Sequence, residues 1–141
     1  MFETVRAFSG SMSVFLIGIA VGGAWICTMV GPNVFYDKLD GSRAGTQVKA
    51  LLLSGSTPIA GLLLAASAFA FLGGAIGAGV LSLLSAIGFF FNRWTLAPHK
   101  RGKTPPGASR RRKGQRLVAV GFSLMFLLVA IVAGVLAILG V

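Results

Sequence analysis

Four long apolar runs alternate with polar segments along this chain. The runs cover residues 12–31, 48–72, 75–92 and 117–140. At about 1.5 Å per residue, a helix of roughly twenty residues crosses a hydrocarbon core of ~30 Å. The pattern therefore predicts an all-α fold: an integral membrane four-helix up-down bundle that forms a single domain over residues 1–141.

Prolines and glycines mark the expected ends of these helices. We expect Pro32 to end the first helix and Gly73-Gly74 to form the turn between the second and third. Pro58 lies inside the second run and admits two interpretations. Either one helix continues through Pro58 with a kink, or an interfacial helix precedes it and a second span begins there. The span left by the second interpretation would be short for a bilayer, which favours the kink.

Composition agrees with a membrane location. Hydrophobic residues make up 55% of the chain and charged residues only 11%, whereas soluble domains carry about 25% charged residues. The single cysteine, Cys27, excludes an internal disulfide and is expected to be a small apolar filler. The abundance of Ala, Gly, Val, Leu and Arg is typical of a bacterial chain, and predicts the bacterial inner (cytoplasmic) membrane. We expect the first run to be retained as a span, since its apolar stretch continues past the candidate cleavage site of a signal peptide.

The distribution of cations predicts the orientation. The formal net charge is +10, and most of the cations lie in a basic loop over residues 93–116: Arg93, Lys100, Arg101, Lys103, Arg110, Arg111, Arg112, Lys113 and Arg116. Lys/Arg-rich loops stay in the cytoplasm. We therefore predict that the first and third loops are cytoplasmic and that both termini are non-cytoplasmic, on the side where Arg6 is the only cation.

The basic loop also predicts partners. Its prolines and glycines favour an extended, mobile segment. Cations beside a membrane attract anionic headgroups, so we expect contact with anionic lipid, while docking to an acidic partner stays open. Nucleic acid is not expected, because no stacking aromatics lie within the cluster.

Small residues spaced four apart predict close helix packing. Helices associate within a bilayer where small side chains let two backbones approach. The first run has Gly18, Gly22 and Gly23, and the last has Ala130 and Gly134. The sequence leaves open whether the first stripe packs within the chain or against another chain.

Candidate chemistry is sparse. Apart from Lys49 the four runs contain no charged side chain, and such groups mark ion pathways and proton relays in membranes. The sequence has no Cys and His residues at the spacing of a zinc site, no glycine-rich phosphate-binding loop and no pair of catalytic carboxylates. Enzyme chemistry would have to rest on Tyr36, Asp37, Asp40 and His99, so we expect no catalytic residue, metal or cofactor.

Several motifs resemble a known family. The stretch Gly18-x-x-x-Gly22-Gly23, the Pro32-x-x-Phe35 exit, Leu39, Ala44-Gly45 and the basic exit Arg93 to Pro98 stand in this order. They resemble the transmembrane-protein-205-like four-helix membrane proteins, grouped as domain of unknown function 4149. The chain departs from that family in its fourth helix, which offers Ser123 but no histidine. A looser likeness is to anthrone-oxygenase-like four-helix membrane proteins.

These observations leave three hypotheses for function. The first is a non-catalytic accessory or scaffolding subunit that packs against a larger membrane complex or against itself. The second is a small transporter or permease-like protein, supported by Pro58 and by a faint likeness between the exits of the first and third helices. The third is an anthrone-oxygenase-like membrane enzyme, implied by the resemblance alone.

Overall fold

The computed structural model describes the backbone of residues 2–96 and 108–141, and the side chains of residues 2–94 and 118–141. Within these ranges the chain is helical and has no strand. The elements are α1 (Phe2–Trp25), a π-helical turn (Ile26–Val30), α2 (Gly31–Lys38), α3 (Gly41–Gly73), α4 (Ile76–Leu96) and α5 (Ala108–Leu139). Four helices are long and apolar enough to cross a membrane, which confirms that part of the predicted fold for the described residues.

The four long helices form a closed ring. α1 packs on α3, α3 on α4, α4 on α5, and α5 returns to α1, while the two diagonal pairs barely touch. The core is built largely from alanine, with Ala60, Ala66, Ala78 and Ala133 fully buried. Small side chains let the helix backbones approach closely, which is how helices associate when lipid supplies no hydrophobic drive.

The first helix does not end at Pro32, so that prediction is wrong. The chain passes from α1 through the π-helical turn into α2 without leaving helical geometry, and α2 ends at Lys38. In an α-helix the ring of a proline clashes with the carbonyl four residues earlier. Here the Gly31 N–H donates to the Ile26 carbonyl, five residues back, and this wider turn accommodates the proline.

The second helix is continuous through Pro58. α3 runs unbroken from Gly41 to Gly73 with Pro58 exposed on its surface. Proline cannot donate to the Ser54 carbonyl, and one turn earlier the Ser54 hydroxyl donates to the Ala50 carbonyl at 2.9 Å. The interpretation with a break before Pro58 is therefore not the one that the chain adopts.

The predicted basic loop 93–116 is shorter than expected. Arg93 belongs to α4, and Arg110, Arg111, Arg112, Lys113 and Arg116 lie within the range of α5. The expectation of an extended segment is wrong for these residues, because alanine, arginine, lysine and glutamine are strong helix formers and continue the adjoining span. Lys100, Arg101 and Lys103 lie outside the described residues, as does His99.

The turn between α3 and α4 forms at Gly73-Gly74, as predicted. Gly74 has a left-handed backbone, with φ of 82°, and the Ala75 N–H donates to the Ala70 carbonyl at 2.9 Å. This is the usual glycine-ended helix terminus. Arg6 reaches across from α1, and its Nε donates to the Gly73 carbonyl at 2.8 Å. A cation at this position also suits the negative end of the α3 dipole.

Candidate functional site

A layer of buried polar side chains crosses the bundle near the C-terminal end of α4. Each of the four spans in the ring contributes one residue. These are Thr28 from the π-helical turn, Ser56 from α3, Asn92 from α4 and Ser123 from α5. All four are at most 4% exposed. Because a buried polar group must be hydrogen-bonded, such a layer constrains how the four helices fit together.

Hydrogen bonds in this polar layer join α4 to α5. The Asn92 Nδ2 group donates to the Ser123 hydroxyl at 2.5 Å, and the Ser123 hydroxyl donates to the Ala119 carbonyl at 2.9 Å. The hydroxyls of Thr28 and Ser56 donate to carbonyls of their own helical segments. The layer is thus satisfied locally in the first span and α3, and across helices between α4 and α5.

A small cavity lies at the centre of the polar layer. Its volume is about 10 Å³, and its lining includes Cys27 and Phe89 together with the four polar residues. A volume of about 10–15 Å³ is the least that holds one water molecule. Among the described side chains, no three His, Cys, Asp or Glu residues come together as a metal site would require. The polar layer is therefore suited to joining helices and has no room for a substrate.

Sequence reasoning did not find this layer. The sequence patterns drew attention to Cys27 and Ser123 as separate positions. They gave no role to Thr28, Ser56 and Asn92. The sequence feature that could have indicated the polar layer is one isolated polar residue in or beside each apolar run. Serine and threonine can satisfy themselves on their own helix, so the positions alone do not show that the four meet.

Replacing Asn92 by alanine should destabilise the bundle by about 1–2 kcal/mol. The substitution removes an interhelical hydrogen bond, which is typically worth ~0.6–1.7 kcal/mol in membrane proteins, and also leaves a void. Unfolding in mixed detergent micelles, followed by circular dichroism, measures the change. Asn33→Ala is the matched control, since Asn33 is exposed on α2. If both substitutions lowered the free energy of unfolding equally, the hydrogen bond of Asn92 would have no special role in stability.

Two further polar contacts secure α4 to its neighbours. The Ser67 hydroxyl on α3 donates to the Gly79 carbonyl at 2.9 Å, and the Ser85 hydroxyl donates to the Phe126 carbonyl of α5 at 2.8 Å. Together with the bond from Asn92 to Ser123, these bonds fasten α4 to α3 and α5 along its length.

The residues predicted to pack helices fall into two groups. Ala130 is buried, a Cβ added to Gly134 would lie 3.2 Å from the Ile17 side chain, and one added to Gly23 would lie 3.8 Å from Ile59. These three face the interior of the bundle. Gly18 and Gly22 instead face outward, where an added Cβ would meet nothing within 4 Å.

Two close helix approaches occur at glycines that sequence spacing did not single out. A Cβ on Gly88 would overlap the Phe126 ring, and one on Gly55 would come within 2.6 Å of the Cys27 sulfur. Neither glycine belongs to a small-residue repeat of spacing four, so the spacing rule misses both.

A groove of about 450 Å³ lies on the outer surface between α3 and α4. It is lined by Leu64 of α3 and by several residues of α4: Ala86, Ile87, Phe90, Phe91, Arg93 and Trp94. Its walls are apolar except at one end, where Arg93 lies. The Arg93 Nη1 donates to the Thr57 hydroxyl at 2.5 Å, so the guanidinium is held between the two helices.

The fold and these sites define a class, a four-helix bundle whose helices can cross a membrane. Comparisons with known protein families, curated proteins and solved structures find no match to this chain. The resemblance to the transmembrane-protein-205-like family therefore stays a prediction from the motifs quoted above.

Proposed function

We propose that this protein is a non-catalytic accessory or scaffolding subunit that packs, within a membrane, against a larger membrane complex or against a second copy of itself. The observation that carries the proposal is the outward direction of Gly18 and Gly22. α1 already buries one face in the bundle, through Ile17, Ala20 and Ala24. Its glycine face is a second packing surface on which no described residue packs.

The surroundings of the two glycines suit a helical partner. Phe15 and Ile19 lie beside them and are 60% and 45% exposed, and residues three and four apart share one side of a helix. Large side chains that border a glycine groove form the ridge-and-groove surface on which a second helix packs. We name Phe15, Gly18, Ile19 and Gly22 the α1 outer face.

The interior of the bundle also favours a structural role. Where the four helices meet near their polar layer, the remaining space is about 10 Å³, and the three hydroxyls around it donate to backbone carbonyls. A transporter needs a substrate site near the middle of the membrane. Midway between Ile76 and Arg93 the bundle interior is filled by Leu63, Ser85 and Leu127, which are fully buried, and this makes the transporter hypothesis the weaker alternative.

Exposed side chains along α3 indicate where the membrane ends. Up to Thr57 they are mainly polar or small, and after it they are mainly apolar. The first set is Gly41, Ser42, Arg43, Thr46, Gln47, Ala50, Ser54 and Thr57, and the second is Pro58, Gly61, Leu64, Ala65, Ala68, Phe71 and Leu72. We therefore place one hydrocarbon boundary at the level of Thr57 and Arg93. At 1.5 Å per residue, α4 from Ile76 to Arg93 is about 27 Å long and the apolar part of α3 from Pro58 to Leu72 is about 22 Å long. This boundary therefore implies that a hydrocarbon core of ~30 Å thins beside α3.

Charge then assigns the sides. The end beyond Arg93 carries Lys38, Arg43 and the cations of residues 93–116, whereas the end with both termini carries Arg6. By the positive-inside rule, the cation-rich end is cytoplasmic and both termini are non-cytoplasmic. This cation-rich end also contacts anionic headgroups. The composition of the chain supports a bacterial inner membrane.

Gly22→Leu tests the proposal. Extraction of the protein at native expression in a gentle detergent, followed by mass measurement of the intact complex, is expected to recover it with stoichiometric larger subunits or as an oligomer. A leucine on the α1 outer face should fill the groove and lower the recovered complex at least tenfold. Gly61→Leu is the matched control, because Gly61 is also exposed and open on a different helix, α3.

Two results would contradict the proposal. If the wild-type protein were recovered as a monomer, it would have no partner in the membrane. The transporter hypothesis would then be tested next, by measuring substrate flux in liposomes. Unchanged assembly of Gly22→Leu would remove the α1 outer face as the contact. Loss of assembly in Gly61→Leu as well would show a general defect in insertion and would count against the specific surface.

A further inference from the structure

The groove between α3 and α4 is a second surface that no described side chain covers, separate from the α1 outer face. It is bounded by large apolar side chains, and Ile87, Phe90 and Phe91 are between 46% and 58% exposed. A volume of about 450 Å³ is within the range of small-molecule sites, roughly 300–1,000 Å³. Apolar walls that face lipid predict an occupant whose body is a hydrocarbon chain.

One end of the groove carries a positive charge that the chain itself does not neutralise. The only acidic side chains in the sequence are Glu3, Asp37 and Asp40. Glu3 begins α1 at the opposite end of the bundle. Asp37 lies in α2, nine residues beyond Thr28 of the polar layer, about 13 Å of helix, and Asp40 precedes Thr57 by seventeen residues, about 25 Å of helix. An anion that neutralises Arg93 must therefore come from outside the chain.

Arg93 is also held in position. Its bond to Thr57 uses one N–H of a guanidinium that has several donors in a planar fork. The remaining donors suit the oxygens of a phosphate, which arginine binds in a bidentate manner. Trp94, at the same end of the groove, is 76% exposed, and tryptophan is enriched at the headgroup level of membranes.

The spacing of the groove matches the parts of a phospholipid. Leu64 lies seven residues beyond Thr57 on α3, which places it about 10 Å further from the Arg93 level. A molecule with its phosphate at Arg93 would thus lay the first part of an acyl chain along Ile87 and Phe90 toward Leu64.

We propose that this groove binds one phospholipid of net negative charge, with its phosphate on Arg93 and Thr57 and one acyl chain along Leu64, Ile87 and Phe90. This site is defined by side chains and therefore differs from the general attraction of a basic surface for anionic lipid. It does not depend on the proposed subunit role, since the α1 outer face lies on another helix.

Quenching of Trp94 fluorescence tests the site. The chain has two tryptophans, so a Trp25→Phe variant reports on Trp94 alone. This variant is reconstituted in phosphatidylcholine vesicles, into which phosphatidylglycerol with brominated acyl chains is titrated. Brominated phosphatidylcholine is titrated in parallel. The anionic lipid is expected to quench Trp94 with about fivefold higher apparent affinity than the zwitterionic lipid.

Substitutions distinguish a built site from surface attraction. Arg93→Gln should bring the affinity ratio close to one, while Arg93→Lys should retain part of it, since lysine keeps the charge but not the fork. Arg43→Gln removes the same charge from an exposed position on α3 and should leave the ratio unchanged. The double substitution Leu64→Phe and Ile87→Phe fills the groove and should abolish the preference even with Arg93 present.

Three outcomes would overturn the proposal. Equal quenching of the Trp25→Phe protein by the two lipids would show no selectivity. An equal loss of preference in Arg43→Gln and Arg93→Gln would reduce the effect to surface potential. Absence of quenching by either lipid would mean that another protein surface covers the groove. Helical circular dichroism of each variant confirms that the comparison is made on folded protein.

Discussion

Replacing Gly88 by alanine is expected to destabilise the bundle by about 2 kcal/mol, the usual range for overpacking a tight contact being ~1–3 kcal/mol. The added methyl group would overlap the Phe126 ring on α5. One turn earlier on α4, the Ser85 hydroxyl donates to the Phe126 carbonyl at 2.8 Å. This hydrogen bond holds the Phe126 backbone close to α4. The Phe126 side chain therefore has little room to move, and α4 and α5 must separate to admit the methyl group.

A double-mutant cycle isolates this contact. Phe126→Ala removes the ring, so Gly88→Ala should carry no cost when introduced into a Phe126→Ala protein. Gly121→Ala on α5 is the matched control, because an added Cβ there would meet nothing within 4 Å. Unfolding in mixed micelles measures all four variants. A cost of Gly88→Ala that persists without the ring would show that the overlap with Phe126 is not the cause.

Labelling at opposite ends of the bundle should give an all-or-none answer on orientation. With Cys27 replaced by alanine, single cysteines are placed at Phe2 and at Ser42, which are both exposed and lie at opposite ends. A membrane-impermeant maleimide added to intact cells should label Phe2→Cys and not Ser42→Cys. Permeabilised cells should label both.

The charge distribution is the physical cause of this expectation. Arg43 lies beside Ser42 on the cation-rich end of the chain, and we expect the cost of moving Lys and Arg across the membrane to keep that end in the cytoplasm. Labelling of Ser42→Cys alone in intact cells would reverse the proposed orientation. Labelling of both in intact cells would mean that the two ends share one side or that the chain is not inserted as a bundle.

The long elements of this fold could be predicted from sequence because they depend on one quantity, apolar length. Four runs of about twenty apolar residues specify four helices, and the Gly73-Gly74 pair specifies a turn since Gly74 adopts positive φ. The end of the first helix could not be predicted in this way. Whether proline stops a helix depends on whether a wider turn precedes it, and the π-helical turn at Ile26–Val30 has no clear sequence signature.

Sites that depend on which residues meet were harder to predict. Small residues at spacing four are a feature of one helix, but a close approach needs a specific partner on another. Gly88 approaches Phe126 and Gly55 approaches Cys27, and both pairings follow from the rotation of two helices about their axes. The polar layer is similar, since Thr28 and Asn92 lie 64 residues apart in sequence and meet only after the ring forms.

Closure of the ring has a consequence for how the protein is made. α1 contacts α5, so the earliest and latest of the four spans to be synthesised are neighbours, and N-terminal segments emerge first. Until α5 arrives, Ile17 lacks its contact with Gly134, and Asn92 lacks Ser123. During that interval the alanine-rich face that α5 later covers is open. We expect the nascent chain to need shelter on this open side until the last helix enters.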